Sequence, residues 1–476
     1  MTVTTMFPSV HAVHTCPRSL FAPEEFLSHE QCAALFDRIV ALGTGGGETS
    51  IALTSRYSSG ATWARNRVHL SQAVGATTIE ITRKVGGASA IAWATRTDDD
   101  GLREAIRHAE LSLQWDVQNP EQIRDEPLNE PTLTPTLWSE PTYALDGAQR
   151  GDIAQHMIAA SETAGLLAAG ELLVSARGYA TFNTMGIARY YPVTWVECSM
   201  SVRDQKGTAS GWAGKTHYDI AKIDAQALAA VAHDKCVRSM NRGAVEPGRY
   251  VTILEPQAVA DLFAVVMDPM GPTMDRTGAE NLIGPFALSL GRSKIGQHVL
   301  DRSLTVRSDP MDPDAGFVPF EKYSGDPYQP VSWFADGVLR DLYYHRDYAL
   351  SRMHKGQSLE LQGSYRLSST LEPVSIDEMI RTTERGILVT RFHNVQMVDN
   401  KSVLCTGFTR DGLWLIEHGK ISRPIKNFRF TSSPLFAMNA LEAVGKPVRV
   451  FDHEFARVAP AMKVRDFNFT SLADAV

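Results

Sequence analysis

The sequence predicts an α+β protein in two domains. Residues 1–242 read as an N-terminal pseudo-duplicated antiparallel sheet with helices, and residues 243–476 as a C-terminal β-rich, barrel-like domain. Three observations carry this. The order helix, strands, helix occurs between Ser28 and Leu113 and recurs between Asp152 and Cys236. From Ser303 onward strand-like runs dominate. A chain of 476 residues exceeds one typical core and accommodates two sizeable ones.

Residues 1 to about 22 read as an irregular arm. Ser28 and Gln31 then fit a capping box, with Leu27 placed to staple onto Cys32. Cys32, Leu35, Phe36, Ile39 and Val40 share one helical face. The glycines from Gly43 to Gly47 follow a helix and lack the Gly-Lys-Ser/Thr ending of a phosphate loop, so they read as a helix stop. Strand-like runs come next at Thr49 to Ser55, Asn66 to Leu70, Thr77 to Lys84 and Ala88 to Ala94, with Gly86-Gly87 as a hairpin turn. Asp98 to Asp100 can cap a helix whose inward stripe is Leu102, Ala105, Ile106, Ala109 and Leu113. Residues 118–148 are rich in proline, acids and threonine and read as a solvated connector.

The second round begins with a helix over Asp152 to Ala169, then strands at Glu171 to Ala176, Tyr179 to Asn183 and Val193 to Arg203. In the last, Val196, Cys198, Met200 and Val202 alternate with Glu197, Ser199 and Ser201, the pattern of a half-buried strand. Asp224 caps a helix with Ala225, Leu228, Ala229, Ala232 and Cys236 inward. Glu246-Pro247-Gly248 marks the domain boundary. Beyond it lie a strand at Tyr250 to Leu254 and a helix at Gln257 to Met267. Turns are expected at Asp309 to Asp314, at Gly325-Asp326-Pro327 and at Asp336-Gly337. Between Gly386 and Gly445, runs at Ile387 to Thr390, Val403 to Thr406 and Leu413 to Glu417 are separated by Asp399-Asn400, Arg410-Asp411-Gly412 and His418-Gly419, as in a β-meander. Pro434 opens a helix with Leu435, Met438, Leu441 and Val444 at helical spacing.

Composition narrows the function classes. Hydrophobic residues at 43% and charged residues at 21% are ordinary globular values, and a formal charge of -7 gives no basic footprint for nucleic acid. The five cysteines are scattered, without CxxC spacing, as expected for reduced thiols in a cytoplasmic protein. The N-terminal residues lack the pattern of a secretory signal, and no window is apolar enough to span a bilayer.

No catalytic constellation stands out from residue types alone. Ala33 and Ala34 follow His29-Glu30 where a zinc helix needs its second histidine, and Arg457 and Val458 do so after His453-Glu454. There is no GxSxG elbow. Cys405 reads as a small core side chain. Asp309, Asp312 and Asp314 are separated by prolines and other residues in a way that suits a solvated turn rather than a Ca²⁺ loop.

Several stretches in shared order resemble the TldD/PmbA family, historically called modulators of DNA gyrase. They are FNTMG at 182–186, PGRYVTILEPQAVADLF at 247–263, LGRSKIGQHVLDRSLTVRSDP at 290–310, FADGVLRDLYYHRDYAL at 334–350 and, most clearly, the LIE-GK-PIKNFRF-SPLF run within 386–445. The TldD kind of subunit carries HExxxH on the helix after the L-x-P strand and completes its zinc site with a cysteine near the C-terminus. The resemblance puts Ala264, Val265 and Pro269 at the three motif positions, with no histidine between His233 and His298 and no cysteine after Val448. The chain therefore resembles the PmbA/TldE kind.

That resemblance implies a non-zinc-binding subunit of a heteromeric metallopeptidase or amide hydrolase, which shapes the substrate cleft and supports an HExxxH-bearing, TldD-like partner. No cofactor is expected in this chain, and zinc is expected in the partner. The implied substrates are unfolded peptides, leader segments of ribosomally made peptide antibiotics, or small-molecule amides; neither nucleic acid nor membrane is an expected partner. The segment FEKYSGDPYQPVSWF at 320–334 replaces the usual D-x-EG-x-P, which sets this chain apart from the standard peptide substrate. Substrate-cleft candidates are Arg391, His393, Asn394, Arg410 and Asp411, polar groups in or beside turns of the clearest motif; the alternative is that Arg410-Asp411-Gly412 is a plain hairpin turn and Arg391 a surface charge. The other expectation for the whole chain is a self-standing homodimeric binding or regulatory protein without hydrolase activity.

Overall fold

Two copies of one arrangement meet at the centre of a six-stranded antiparallel sheet. The computed structural model describes residues 26–44, 46–115, 136–267, 287–289, 292–342 and 363–473. The expected N-terminal arm, most of the Pro-rich connector, Pro269 and the residues after Leu342 in the 334–350 motif lie outside them. The first copy runs α1 (His29–Leu42), β1 (Glu48–Ala64), β2 (Arg67–Val85), β3 (Ala88–Ala94) and α2 (Asp99–Leu113). After a short α3 (Glu140–Tyr143), the second runs α4 (Gly147–Thr163), β4 (Leu167–Asn183), β5 (Ala188–Arg203), β6 (Ser210–His217) and α5 (Ala225–Arg238). The strand order β3-β2-β1-β4-β5-β6 places each copy on its own side of the β1–β4 pair.

Local chemistry sets the helix starts. Ser28 and Gln31 form the expected capping box, Asp98 caps α2 through Gly101 N–H, and Asp224 caps α5 through Ala227 N–H. The helices cover one sheet face. Cys32, Leu35 and Ile39 pack with Ile51, Ile81, Leu102 and Ile106 in one half; Met157 and Ile158 pack with Leu172, Val196, Met200, Ala232 and Cys236 in the other. Gly211 lets β6 approach α5, because a Cβ there would stand 2.2 Å from Ala232 O.

Several elements are longer than the sequence predicts. Asn66–Leu70 and Thr77–Lys84 belong to a single β2 apart from Asn66 itself, because Ser71 and Val74 to Ala76 between them also pair with β1, across one register shift. Glu171–Ala176 and Tyr179–Asn183 likewise merge into β4, which pairs continuously with β5. The helix expected over Asp152–Ala169 starts at Gly147, capped by an unforeseen box of Asp146 and Gln149, and stops before Gly165 (φ +69°). β5 is not half-buried: Glu197 and Ser199 are also shielded, because C-terminal segments cover the second sheet face.

The C-terminal part begins with β7 (Gly248–Leu254) and α6 (Pro256–Met267), followed by β8 (Ala287–Ser289), β9 (Arg292–Ser293), β10 (Leu304–Ser308), β11 (Val331–Ala335), β12 (Val338–Leu339), β13 (Tyr365–Ser369) and α7 (Ile376–Arg381). Then come β14 (Arg385–Asp399), β15 (Leu404–Glu417), β16 (Lys420–Pro424), β17 (Phe428–Ser432), α8 (Pro434–Asn439), β18 (Leu441–Val444), β19 (Val448–Arg449), β20 (Arg457–Ala459) and β21 (Met462–Leu472). Strands β14-β7-β21-β17-β15 form a closed five-stranded barrel, since β15 pairs back onto β14. Only the β7–β14 pair of this ring is parallel. The barrel-like expectation therefore holds. A second sheet, β12-β11-β10-β13-β20-β19, shares one core with the barrel and α6.

Aromatic rings fill the barrel. Phe392, Phe430 and Phe467 contact one another at centroid distances of 4.7 to 5.4 Å, and Phe428 and Phe469 extend the cluster. Outside the barrel, Met379 and Ile380 of α7 pack on Leu388, Trp414 and Ile416. The helix expected from Pro434 ends at Asn439; Leu441 and Val444 lie instead on β18, captured by pairing with β21. Arg410-Asp411-Gly412 is not a hairpin turn but lies inside β15. No helix among the described residues is long and apolar enough to cross a membrane.

Phe430 is fully buried among these rings. Phe430→Ala is expected to cost about 3–5 kcal/mol in urea unfolding. A loss under about 1 kcal/mol would mean the barrel interior repacks freely.

Candidate functional site

The ladder between β14 and β15 is broken three times, and all five candidate residues lie at or between the first two breaks. Val389 pairs with Leu413 and Arg391 with Arg410, so Asp411 and Gly412 together oppose the single residue Thr390. His393 pairs with Phe408 and Gln396 with Thr406, so Asn394 and Val395 oppose Gly407. These are β-bulges. Their backbone is left-handed at Asp411 (φ +58°), Gly412 (φ +129°) and Asn394 (φ +51°). Gly412 is required twice over: besides its φ, a Cβ there would lie 2.3 Å from the Trp414 ring.

The bulges bring Arg391, Arg410 and Asp411 together and leave His393 and Asn394 at the margin. Asp411 is 2% exposed, and its Oδ2 stands 3.9 Å from Arg391 Nη1 and 3.8 Å from Arg410 Nε. Those separations are attractive but too long for direct hydrogen bonds. His393 is exposed at the rim; partial burial, then Arg410 and Arg391, hold its pKa below the ordinary value. Asn394 is exposed and accepts from Gln396 Nε2 at 3.1 Å.

Tertiary packing adds residues that sequence reasoning missed. The Arg391 guanidinium lies 4.2 Å over the ring of Trp212 on β6, so Arg391 is a stacked seam residue rather than a free surface charge. Asp261 on α6 accepts from Phe392 N–H at 2.8 Å and from Gln257 Nε2 at 2.9 Å. Burial pushes its carboxyl up, and Arg391 opposes that. Gln257 exchanges two hydrogen bonds with the backbone of Phe451, whose ring is 5.7 Å from that of Trp212. Arg242, just past α5, lies within electrostatic reach of Asp204 and Asp411. The only sequence signal for Trp212 is an aromatic residue on a strand next to glycine; the 179 positions separating it from Arg391 hide the rest.

The site lies on the seam where the C-terminal part covers the first sheet. Glu197 Oε2 meets His453 Nδ1 at 2.7 Å, and burial pushes the Glu197 carboxyl up. Arg449 lies over Trp195 and Tyr218 at 5.0 and 4.4 Å. Tyr218 Oη donates to Gly316 O, and Thr181 Oγ1 to Lys322 O. The distinctive 320–334 segment thus docks on β4 of the first sheet. Asp312 is no solvated turn residue; it takes a two-pronged bond from Arg366 at 2.6 and 2.7 Å. Farther along the seam, an open cavity of about 480 Å³ lies between α5 and the outer barrel face, lined by Lys235, Arg238, Glu255, Leu388 and Trp414.

Ala264 and Val265 lie on α6 and carry only hydrocarbon side chains, which offer no ligand atom to a metal ion. Pro269 lies outside the described residues. Among the described residues, Glu171, Glu197 and His453 bring ligand-type atoms within 4.8 Å of one another, but His453 Nδ1 is already engaged by Glu197. Cys405, expected as a core residue, is fully buried, and burial pushes its thiol up to about 12.

Comparison with known proteins fits this architecture. Residues 247–471 match the family model described as the PmbA/TldA metallopeptidase C-terminal domain. No curated protein matches the chain. Among solved structures, TldE from Thermococcus kodakarensis superposes with a TM-score of 0.76 at 14% identity, covering 92% of this chain and 99% of that one. A structure named for a modulator of a DNA gyrase from Thermotoga maritima gives 0.76 at 15% identity, covering 92% of this chain and 100% of that one. A similarly named one from Bacteroides thetaiotaomicron gives 0.74 at 16%, covering 92% and 98%. At these identities the likeness establishes the shared fold.

The seam also generates a pH dependence. Burial, then Arg449 and Lys215, push His217 down to about 4, and its Nδ1 accepts from Asp219 N–H. The unfolded chain therefore binds a proton that the folded chain refuses. The stability His217 contributes is full above its ordinary value of 6.5 and is lost as pH falls towards 4. His217→Gln is expected to shrink the drop in urea midpoint between about pH 7 and about pH 4.5. An unchanged drop would show that His217 is not responsible.

Proposed function

Because the chain belongs to the TldD/PmbA family through residues 247–471, we propose that it is the non-zinc-binding subunit of a heteromeric metallopeptidase or amide hydrolase. The observation that carries this reading is the chemistry of α6. Its Ala264 and Val265 can neither ligate Zn²⁺ nor move a proton, while the adjoining seam keeps a set of buried, oriented polar groups. The likeness to a solved TldE supports the same assignment. Bond cleavage then falls to an HExxxH-bearing partner whose zinc activates water. This chain's share is to shape the cleft, with Arg391, Arg410 and Asp411 fixed by the bulges and His393 and Asn394 at the rim. The substrate is a peptide or other amide, and the working compartment is the cytoplasm.

Co-expression with an HExxxH homologue tests the proposal. The expected result is a co-purifying pair that hydrolyses an unfolded peptide, loses activity on chelation and is inactive as either chain alone. Full activity from this chain alone, or a stable homodimer that recruits no such homologue, would overturn it.

A further inference from the structure

The arginines at the double bulge lack an acceptor. Among the described residues, neither the Arg391 nor the Arg410 guanidinium makes a hydrogen bond; each has only Asp411 Oδ2, at 3.9 and 3.8 Å. Arg391 Nε is buried without a partner, as is Asp411 Oδ1. A buried guanidinium N–H without an acceptor is costly, and guanidinium forks match carboxylates in shape and charge. Elsewhere on the seam Arg366 grips Asp312 at 2.6 and 2.7 Å, while Arg449 donates from Nη1 to Asp314 O and keeps Nε and Nη2 unpartnered.

The surroundings fix the geometry and narrow the ligand. Arg391 is held in place by stacking on Trp212 at 4.2 Å, so its fork is preorganised. The bulges impose the pairing of Arg391 with Arg410 and aim both away from the phenylalanine-filled interior, into which Phe392 turns. Arg242 adds a third positive group near Asp411, shared with Asp204. Asp411 behind the pair, with Asp261 beyond Arg391, offsets part of this charge, which suits a single negative charge better than a phosphate dianion. Both side chains remain partly open, at 22% exposure for Arg391 and 26% for Arg410.

We propose that Arg391 and Arg410, backed by Arg242 and steadied by Trp212 and Asp411, form a subsite for one carboxylate of the substrate. This deepens the preceding reading, since it rests on the seam being a substrate cleft. The carboxylate belongs to an extended peptide, either its C-terminus or an acidic side chain.

The test uses the purified full-length chain and three fluorescein-labelled, unstructured peptides, read by fluorescence anisotropy. One ends in a free carboxylate and has neutral side chains; one is amidated and carries a single glutamate; one is amidated and has no acid. At least one of the first two is expected to bind about tenfold more tightly than the third, and which one does identifies the source of the carboxylate. Arg391→Gln and Arg410→Gln should each abolish the preference, Arg391→Lys should keep part of it, and added salt should weaken it. Thermal unfolding of each variant checks the fold, and Arg410→Gln serves if Arg391→Gln does not fold. Equal affinity for all three peptides, no binding of any, or an undiminished preference in a folded glutamine variant would overturn the proposal. Because binding is read on this chain alone, failure to recruit a zinc-bearing partner would sink the pairing and leave this result standing.

Discussion

Closure of the barrel through β14 is the constraint on which the candidate site depends. This strand is held on one side by parallel pairing with β7 and on the other by antiparallel pairing with β15. An open sheet can shed an extra residue at its free edge. A closed ring has no such edge, so an extra residue becomes a bulge between fixed neighbours. The two breaks that follow Val389 and His393 are of this kind. Between them the side-chain alternation is reset, sending Phe392 inward and Arg391 outward under Trp212. A charged pair that a regular ladder would leave on open surface is thereby pressed against the first sheet.

The first sheet meets this pressure because it is buried on both faces. Helices cover one side with an ordinary apolar core. The other side carries Glu197, Ser199, Trp195 and Tyr218, shielded by segments around residues 312–326 and 449–456. A polar group shielded in this way must find a partner or pay in desolvation. Most do so across the seam: Glu197 with His453, Tyr218 with Gly316, Thr216 with Val450. The pairs tie residues more than 90 positions apart, so polar bonds as well as apolar contacts join the two parts of the chain.

What was legible in the sequence was what local chemistry decides. Ser28, the run Asp98 to Asp100 and Asp224 announce their helices because a cap needs only residues three positions away, and the structure picks Asp98 from its run. The repeated helix-strand-helix order was readable for the same reason. Strand length was not, because a run such as 71–76 is held extended by its neighbour rather than by its own propensity. Arg410-Asp411-Gly412 has the composition of a turn, and its left-handed backbone is real; only the pairing on either side makes it a bulge. Arg391 and Asp411 could be singled out from sequence, but Trp212, Asp261 and Phe451 could not, since nothing local encodes a contact made across the seam.

The contrast between α6 and the seam is the physical core of the functional reading. A helix whose buried positions include Val259, Phe263 and Val266 gains stability from hydrocarbon and would lose it by admitting imidazoles without an ion. Stability alone offers no such reason for the seam. Two arginines beside a buried aspartate, with distances too long for hydrogen bonds, are poorer in energy than a packed apolar patch of the same volume would be. Strained backbone at Asp411 and Asn394 adds to that cost. Packing alone therefore accounts for α6 but not for the polar groups at the neighbouring bulges, and the proposed role of this chain as a recognition subunit would supply the missing reason.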